Sequence, residues 1–301
     1  MRLEADHVRV RVPATSANLG PGFDALGLAL DLWDEIDARA TPGETTVTVV
    51  GEGAGSVPLD ETYPVVRAAR TALEAVGAPD VGLTLRCSNK IPHGRGLGSS
   101  AAAAVAGALI VRGMIANPQA MNARMVLELA TSFEGHPDNA APAIFGRGTI
   151  AWMVGTVPRC ARLDVHPEVR PVLAVPASPV STRVARAVLP DRVPREDAVF
   201  NAGRAALTVH ALTSEPSLLF EATEDRLHQS YRESVMAPSL ELLARLRAER
   251  IPAVISGAGP TVLILTAFPP QSLTQVIGPD WTVMTPAVAS HGGTVARVTP
   301  A

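Results

Sequence analysis

The stretch that most constrains the fold is Ser99-Ser100-Ala101-Ala102-Ala103-Ala104-Val105-Ala106-Gly107-Ala108-Leu109-Ile110-Val111, continuing through Arg112 to Ile115. Alanine is the best helix former, so Ser99–Ile115 is predicted as a helix. Arg112 is its only charged residue, so the helix has no polar face and must be wrapped by other elements. Gly107, Gly113 and Arg112 interrupt it, and it falls short of the ~18 consecutive apolar residues of a membrane span. A chain of 301 residues is long enough to supply the wrapping, in one large domain or two ordinary ones.

The segment that feeds this helix is Ile91-Pro92-His93-Gly94-Arg95-Gly96-Leu97-Gly98. No lysine precedes the serines, so it is not G-x-x-x-x-G-K-[ST], and its third glycine comes one residue too early for G-x-G-x-x-G. Local physics leaves two readings. Clustered glycine N–H groups and a helix start make an anion nest suited to phosphate. The same residues also make an ordinary turn with a serine N-cap.

Around this centre, alternation of Val8, Val10 and Val12 with His7, Arg9 and Arg11 predicts a half-buried strand. It is expected to end at Pro13 and enter the turn-rich segment Ala14–Asp24. Further strands are expected at 45–50, 82–87, 146–154 and 172–176, and a pair flanking Ser256-Gly257-Ala258-Gly259-Pro260-Thr261. Helices are expected at 65–76, 121–133, 182–188, 196–212, 227–234 and 239–250. Strands and helices mix without a strict βαβ rhythm, which favours an α+β fold. Prolines 158, 167 and 171 mark a change of composition, and the expected division is 1–158 and 165–301.

Charged residues make up 18% and apolar ones 47%, the balance of a compact enzyme-like protein. A net charge of −3 gives no basic field, so nucleic acid is not an expected partner. Cys87 and Cys160 lack metal-like spacing and make no disulfide framework. With no leader-like start and no spanning run, a cytoplasmic location and no membrane association are expected.

The run Pro92-x-x-x-Gly96-Leu97-Gly98-Ser99-Ser100-Ala101-Ala102 resembles the signature of the GHMP kinases, and Pro13–Asn18 and Ser256–Thr261 resemble two further family segments in the expected order. Pro13–Asp24, Glu134–Gly146, Val180–Pro190 and the stretch ending at Arg232 are similar to the homoserine kinase branch. The resemblance spans residues 8 to 266. It implies a two-domain fold, with a ribosomal-protein-S5-like nucleotide domain followed by a ferredoxin-like domain and the substrate site at their interface. It also implies ATP and Mg²⁺ as cofactors and phosphorylation of the L-homoserine hydroxyl, a step of threonine biosynthesis. Threonine as a feedback inhibitor and a homodimer are family-level expectations.

Carried onto this chain, the resemblance assigns the ATP phosphates to Pro92, Gly94, Arg95, Gly96, Leu97, Gly98, Ser99, Ser100 and Ala101, and Mg²⁺ to Ser100 and Glu134. The substrate residues are Asn18, Asp24, Asn139, Thr182, Arg186 and Arg232, with Asn139 and Glu134 central to catalysis. The chemistry suits a zwitterion bearing a hydroxyl. Guanidinium forks of Arg186 and Arg232 match a carboxylate, Asp24 accepts from an ammonium, and Asn18 and Asn139 both donate and accept. Thr182 and Arg186 would share one helix face. No dedicated base is implied, because a loose transition state asks for little early deprotonation.

Plainer roles compete with each assignment. Asn18 would form an Asx turn, Thr182 a helix cap, Glu134 a solvated helix end, and Asp138 would compensate a helix start. Tyr63 stands near a family Asn, which leaves adenine contacts unassigned. Rival functions keep the fold: a kinase of another small alcohol such as mevalonate, a decarboxylase, or a non-catalytic ATP-binding regulator.

Overall fold

The computed structural model describes residues 1–266 and 270–299. Six strands open the chain: β1 (His7–Ala17), β2 (Leu26–Thr41), β3 (Thr46–Gly51), β4 (Gly82–Asn89), β5 (Gly148–Val154) and β6 (Val157–Leu163). A second group follows: β7 (Arg170–Pro176), β8 (Ala253–Ile255), β9 (Val262–Thr266) and β10 (Trp281–Met284). The last strand, β11 (Thr294–Arg297), returns to β1.

The first sheet runs β11-β1-β2-β4-β3, with β5 paired to the start of β2 and β6 to β5. Among the described residues only β3 and β4 pair in parallel, joined by the crossover helix α1 (Pro64–Ala75). The second sheet is antiparallel, in the order β10-β7-β9-β8. The sheets therefore do not split the chain at one point. Residues 157–163 belong to the first sheet, and 294–297 rejoin it.

Helix α2 (Ser99–Met114) is buried on nearly every side, as its composition requires. It packs on β1, on α1 and on α3 (Ala123–Glu134) and α4 (Ala140–Phe145). Its small residues permit close approach. A Cβ on Gly107 would lie 2.5 Å from that of Ala68 on α1, and one on Gly113 would lie 2.5 Å from Val295 of β11. The second half adds α5 (Thr182–Ala187), α6 (Arg195–Thr213), α7 (Leu219–Ala222), α8 (Glu233–Ala248) and α9 (Pro270–Ile277). Its sheet and α8 enclose a smaller core of Val172, Leu242, Leu246, Ile255, Val262 and Ile264.

Two expectations are corrected, and β2 is among the elements the periodicity left unread. β1 does not stop at Pro13, because β2 shifts register between Pro13 and Ala14 and the ladder resumes as far as Ala17. Such an irregularity absorbs the missing proline donor and bends the strand toward the site. β2 itself has no counterpart in the periodicity reading: its opening stretch, Leu26–Leu30, is continuously buried and does not alternate. The helix expected at 227–234 is only a single turn, Ser230–Arg232, before α8 begins. There the Asp225 carboxylate accepts from the backbone N–H groups of Leu227, His228 and Gln229, which offers the chain an alternative to helix.

Candidate active site

Three loops meet at the head of α2: the end of β1, the glycine segment, and the β8–β9 turn. The Ser256 hydroxyl donates to the Gly96 carbonyl at 2.7 Å and lies 2.8 Å from the Ser16 hydroxyl, tying all three together. Backbone bonds repeat the tie: Thr15 N–H to the Leu97 carbonyl (3.1 Å), Gly257 N–H to Ala17 (3.0 Å) and Thr261 N–H to Arg95 (3.3 Å). The closeness explains the glycines. Gly96 and Gly98 have φ near +72° and +71°, and a Cβ would come within 2.2 Å of the Ser256 carbonyl at one and 2.0 Å of Thr15 Oγ1 at the other.

Gly98 is the N-cap of α2, in left-handed conformation and without a side-chain cap. Among the described residues nothing accepts from the N–H groups of Ser99, Ser100 or Ala101. These unpaired donors and the helix dipole form the nest for an anion. The serine-capped turn is thus not what forms. Ser100 Oγ donates instead to Glu134 Oε1 at 2.5 Å, across to the last residue of α3. Leu97 and Ala101 are buried, and their side chains serve the core. The Arg95 guanidinium turns away from the nest to the carbonyls of His93 (2.7 Å), Pro176 (3.0 Å) and Ala177, so it braces the loop and does not face the anion position.

A pocket of about 70 Å³ adjoins this nest. Asn18, Asn139, Thr182, Arg186 and Arg232 line it, together with His136, Asp138 and the glycine segment from Gly94 to Ser100. Asp24 forms a bidentate pair with the lining residue Arg186, at 3.2 Å and 2.5 Å. Burial opposes the charge of Arg186, but Asp24 more than offsets it and the pKa is raised. Arg232 is 1% exposed. One of its nitrogens donates to the Gly257 carbonyl at 2.8 Å, while its Nε has no partner. Burial and the neighbouring Arg186 bring its pKa down to about 10, so it remains a cation at neutral pH.

Asn18 lines the pocket and forms no Asx turn. Its Nδ2 donates to the Gly257 carbonyl at 2.8 Å, and its Oδ1 accepts from Asp24 N–H at 2.9 Å. Both ends fix the loop that presents Asp24. Thr182 does not cap α5, because the Ser181 hydroxyl accepts from Val184 N–H there. Asn139 Oδ1 accepts from the Thr15 hydroxyl at 2.9 Å, and its Nδ2 points to Asp138 at 3.4 Å.

Two pocket residues were not among those expected. Asp138 is 1% exposed, receives His136 Nδ1–H on one oxygen, and has no donor to the other. Burial disfavours charge on His136, yet the Asp138 carboxylate prevails and raises its pKa. Ligand atoms of Asp24, His136 and Asp138 lie within 4.8 Å of one another, an arrangement that suits a small cation such as an ammonium group. The signal was present in Gly135-His136-Pro137-Asp138-Asn139, but helix-end logic alone gave Asp138 a different task.

A second cavity, of about 190 Å³, lies on the other side of the α2 start and shares Ser99 and Ser100 with the first pocket. Tyr63, Asn89, His93 and Asp34 line it beside apolar residues. A roomier cavity, about 570 Å³, lies between 164–172 and 285–290, and none of these groups lines it. Chemistry, not volume, marks the site.

Residues 64–147 match the model of the GHMP kinases N terminal domain. The homoserine kinase of Streptomyces coelicolor is 48% identical over 290 residues, covering 96% of this chain and 94% of that protein. The homoserine kinase of Clavibacter michiganensis is 50% identical over 296 residues, covering 96% and 93%. The crystal structure of homoserine kinase from Cytophaga hutchinsonii superposes with a TM-score of 0.85 at 26% identity, covering 97% of this chain and 98% of that one.

Proposed function

The chain belongs to the homoserine kinase family, and from that premise we propose that it transfers the γ-phosphoryl group of ATP to the side-chain hydroxyl of L-homoserine. The observation that carries the substrate is the pair Arg186 and Arg232. A buried guanidinium with an unpaired Nε faces a pocket that Asp138 and Arg186 also line, and Arg186 is paired with Asp24. Such a pocket complements a zwitterion, with the carboxylate on the arginines and the ammonium on Asp24. Mevalonate lacks the ammonium. Its diphosphate, the acid a decarboxylase of this fold would need, calls for more cations than line this pocket.

ATP phosphates belong on the free N–H groups of the α2 start. Ser100 Oγ and Glu134 Oε1, two hard oxygen donors 2.5 Å apart beside that nest, are the donor set that Mg²⁺ prefers. Mg²⁺ when bound neutralises charge on the phosphoryl oxygens. The Thr15–Asn139 bond holds the Asn139 amide toward the hydroxyl end of the substrate. Orientation then supplies much of the rate, as in an intramolecular reaction. The unpaired oxygen of Asp138 supports a second element of the same reading, an acceptor for the proton the hydroxyl loses. Threonine, with the same carboxylate and ammonium, would compete for the pocket. A cytoplasmic homodimer completes the proposal, and free Cys87 and Cys160 fit a reducing compartment.

ADP release with Mg-ATP is expected to favour homoserine over threonine, serine and mevalonate. No preference for homoserine sinks the assignment. Glu134→Gln is expected to raise the Mg²⁺ concentration for half-maximal activity by at least about tenfold, the scale at which weakened metal sites respond. An unchanged Mg²⁺ dependence removes Glu134 from the metal role.

A further inference from the structure

The loop that presents Asn18 and Asp24 is held from outside as well as from within. Asn18, Leu19 and Asp24 have φ of 69°, 50° and 56°, a left-handed region that residues with a Cβ seldom occupy. Such a backbone persists only where its surroundings enforce it. Between the two site residues, the carbonyls of Gly20 and Pro21 receive no backbone N–H among the described residues. Both residues are buried, so these carbonyls need donors from elsewhere.

The donors come from the second half of the chain. His228 Nε2 donates to the Gly20 carbonyl at 2.8 Å, and Asn201 Nδ2 donates to the Pro21 carbonyl at 2.9 Å. The two residues are 0% and 2% exposed, and neither lines the substrate pocket. Burial holds the pKa of His228 below the usual histidine value, so the ring is neutral. Its proton sits on Nε2, where the Gly20 carbonyl requires it, and Nδ1 has no partner.

The same two side chains are tied to each other and to the site. Asn201 Oδ1 accepts from Arg226 N–H at 2.9 Å, in the turn that the Asp225 carboxylate organises and that carries His228. Further along that turn, Arg232 donates to the Gly257 carbonyl, which also takes the Asn18 amide. The His228 ring stacks on Phe23 with centroids 4.9 Å apart. The Arg186 guanidinium lies 5.4 Å from the centroid of that same Phe23 ring. One histidine thus touches the loop twice, at a carbonyl ahead of Asp24 and at the ring beside it.

We propose that His228 is a positioning residue for homoserine: together with Asn201 it holds the Gly20 and Pro21 carbonyls so that Asp24 meets the substrate ammonium. The assignment deepens the kinase reading above and rests on it. Loss of a donor leaves a buried carbonyl unsatisfied, and the loop relieves that only by relaxing its left-handed residues, which moves Asp24. Neither side chain bonds to the glycine segment or to α2 among the described residues, so nucleotide binding is not expected to follow.

Steady-state kinetics on two substitutions of the histidine separates the hydrogen bond from the packing. His228→Phe removes the donor and keeps a ring against Phe23, whereas His228→Gln keeps a donor and removes the ring. His228→Phe is expected to raise KM for homoserine about tenfold, the scale of one unsatisfied buried carbonyl, with KM for ATP unchanged. His228→Gln is expected to return KM for homoserine to within about threefold of wild type. Asn201→Leu is expected to raise the same constant, and it carries the test where His228→Phe does not fold. A KM for homoserine that stays put overturns the proposal. Equal rises in KM for homoserine and ATP mean that the two residues only support the fold, and overturn it as well. So does a His228→Gln enzyme as impaired as His228→Phe, or a set of variants none of which shows a folded thermal melt. Wild-type enzyme without homoserine turnover overturns the kinase reading itself, a result the unmutated protein alone reports.

Discussion

Arg232→Ala lowers kcat/KM for homoserine by about a hundredfold to a thousandfold, chiefly through KM, and leaves KM for ATP near its original value. The expectation follows from the side chain's position. Arg232 is 1% exposed, and its Nε has no protein partner. Removing one member of a desolvated charge pair costs about 2–5 kcal/mol. Lysine should not restore binding, because it has no fork to match a carboxylate and cannot hold the Gly257 carbonyl in the same geometry. Steady-state kinetics with homoserine as the varied substrate checks the split, and a thermal melt checks that the variant folds. A KM for homoserine that does not move removes Arg232 from the carboxylate site.

Asn139→Ala gives the second large effect, a fall in kcat of about 10²–10³, the loss typical of removing one well-placed polar group from a transition state. ATP binding should survive, because the nest lies on the backbone of α2 and not on this side chain. The Thr15 hydroxyl also loses its acceptor, which adds to the disorder at the hydroxyl end of the pocket. Nucleotide titration alongside single-turnover kinetics separates the two effects, and near-wild-type turnover rules out the positioning role. Asp138→Asn in parallel shows whether the second carboxylate oxygen takes a proton. A change in the pH dependence of kcat supports it, whereas a loss uniform across pH leaves Asp138 as scaffold.

Much of this was legible in the sequence. The charge-poor run Ser99–Ile115 required a helix at the centre of the molecule, and the structure wraps it with α1, α3, α4 and β1. The α+β class and most element positions followed from periodicity. β2 escaped notice because its opening stretch, Leu26–Leu30, is buried on both faces, so the alternation that signals a half-buried strand is absent there. The single turn at Ser230–Arg232 escaped because the Asp225 carboxylate competes with helix for the same N–H groups. At the site, residue types pointed to chemistry but not to commitments already made inside the protein. Arg95 spends its guanidinium on three carbonyls, and Asn18 spends its amide on Gly257 and Asp24. Asp138 shows the reverse case, a residue with a plausible helix-end role whose importance emerges only when His136 and an unpaired oxygen are seen together.

The pairing of β11 with β1 bears on the order in which the molecule can be assembled. Val8 lies opposite Arg297 and Val10 opposite Val295, so a neighbour of the strand that leads into Asn18 is made long after that strand. Until it arrives, one edge of β1 presents unpaired N–H and C=O groups above a hydrophobic row, the kind of edge on which other chains can add. Contacts of such long sequence separation also form slowly. A nascent chain can therefore have the glycine segment and α2 in place while the strand beneath them is still open on one side, and the cell must carry it through that interval before the kinase site is held from both sides.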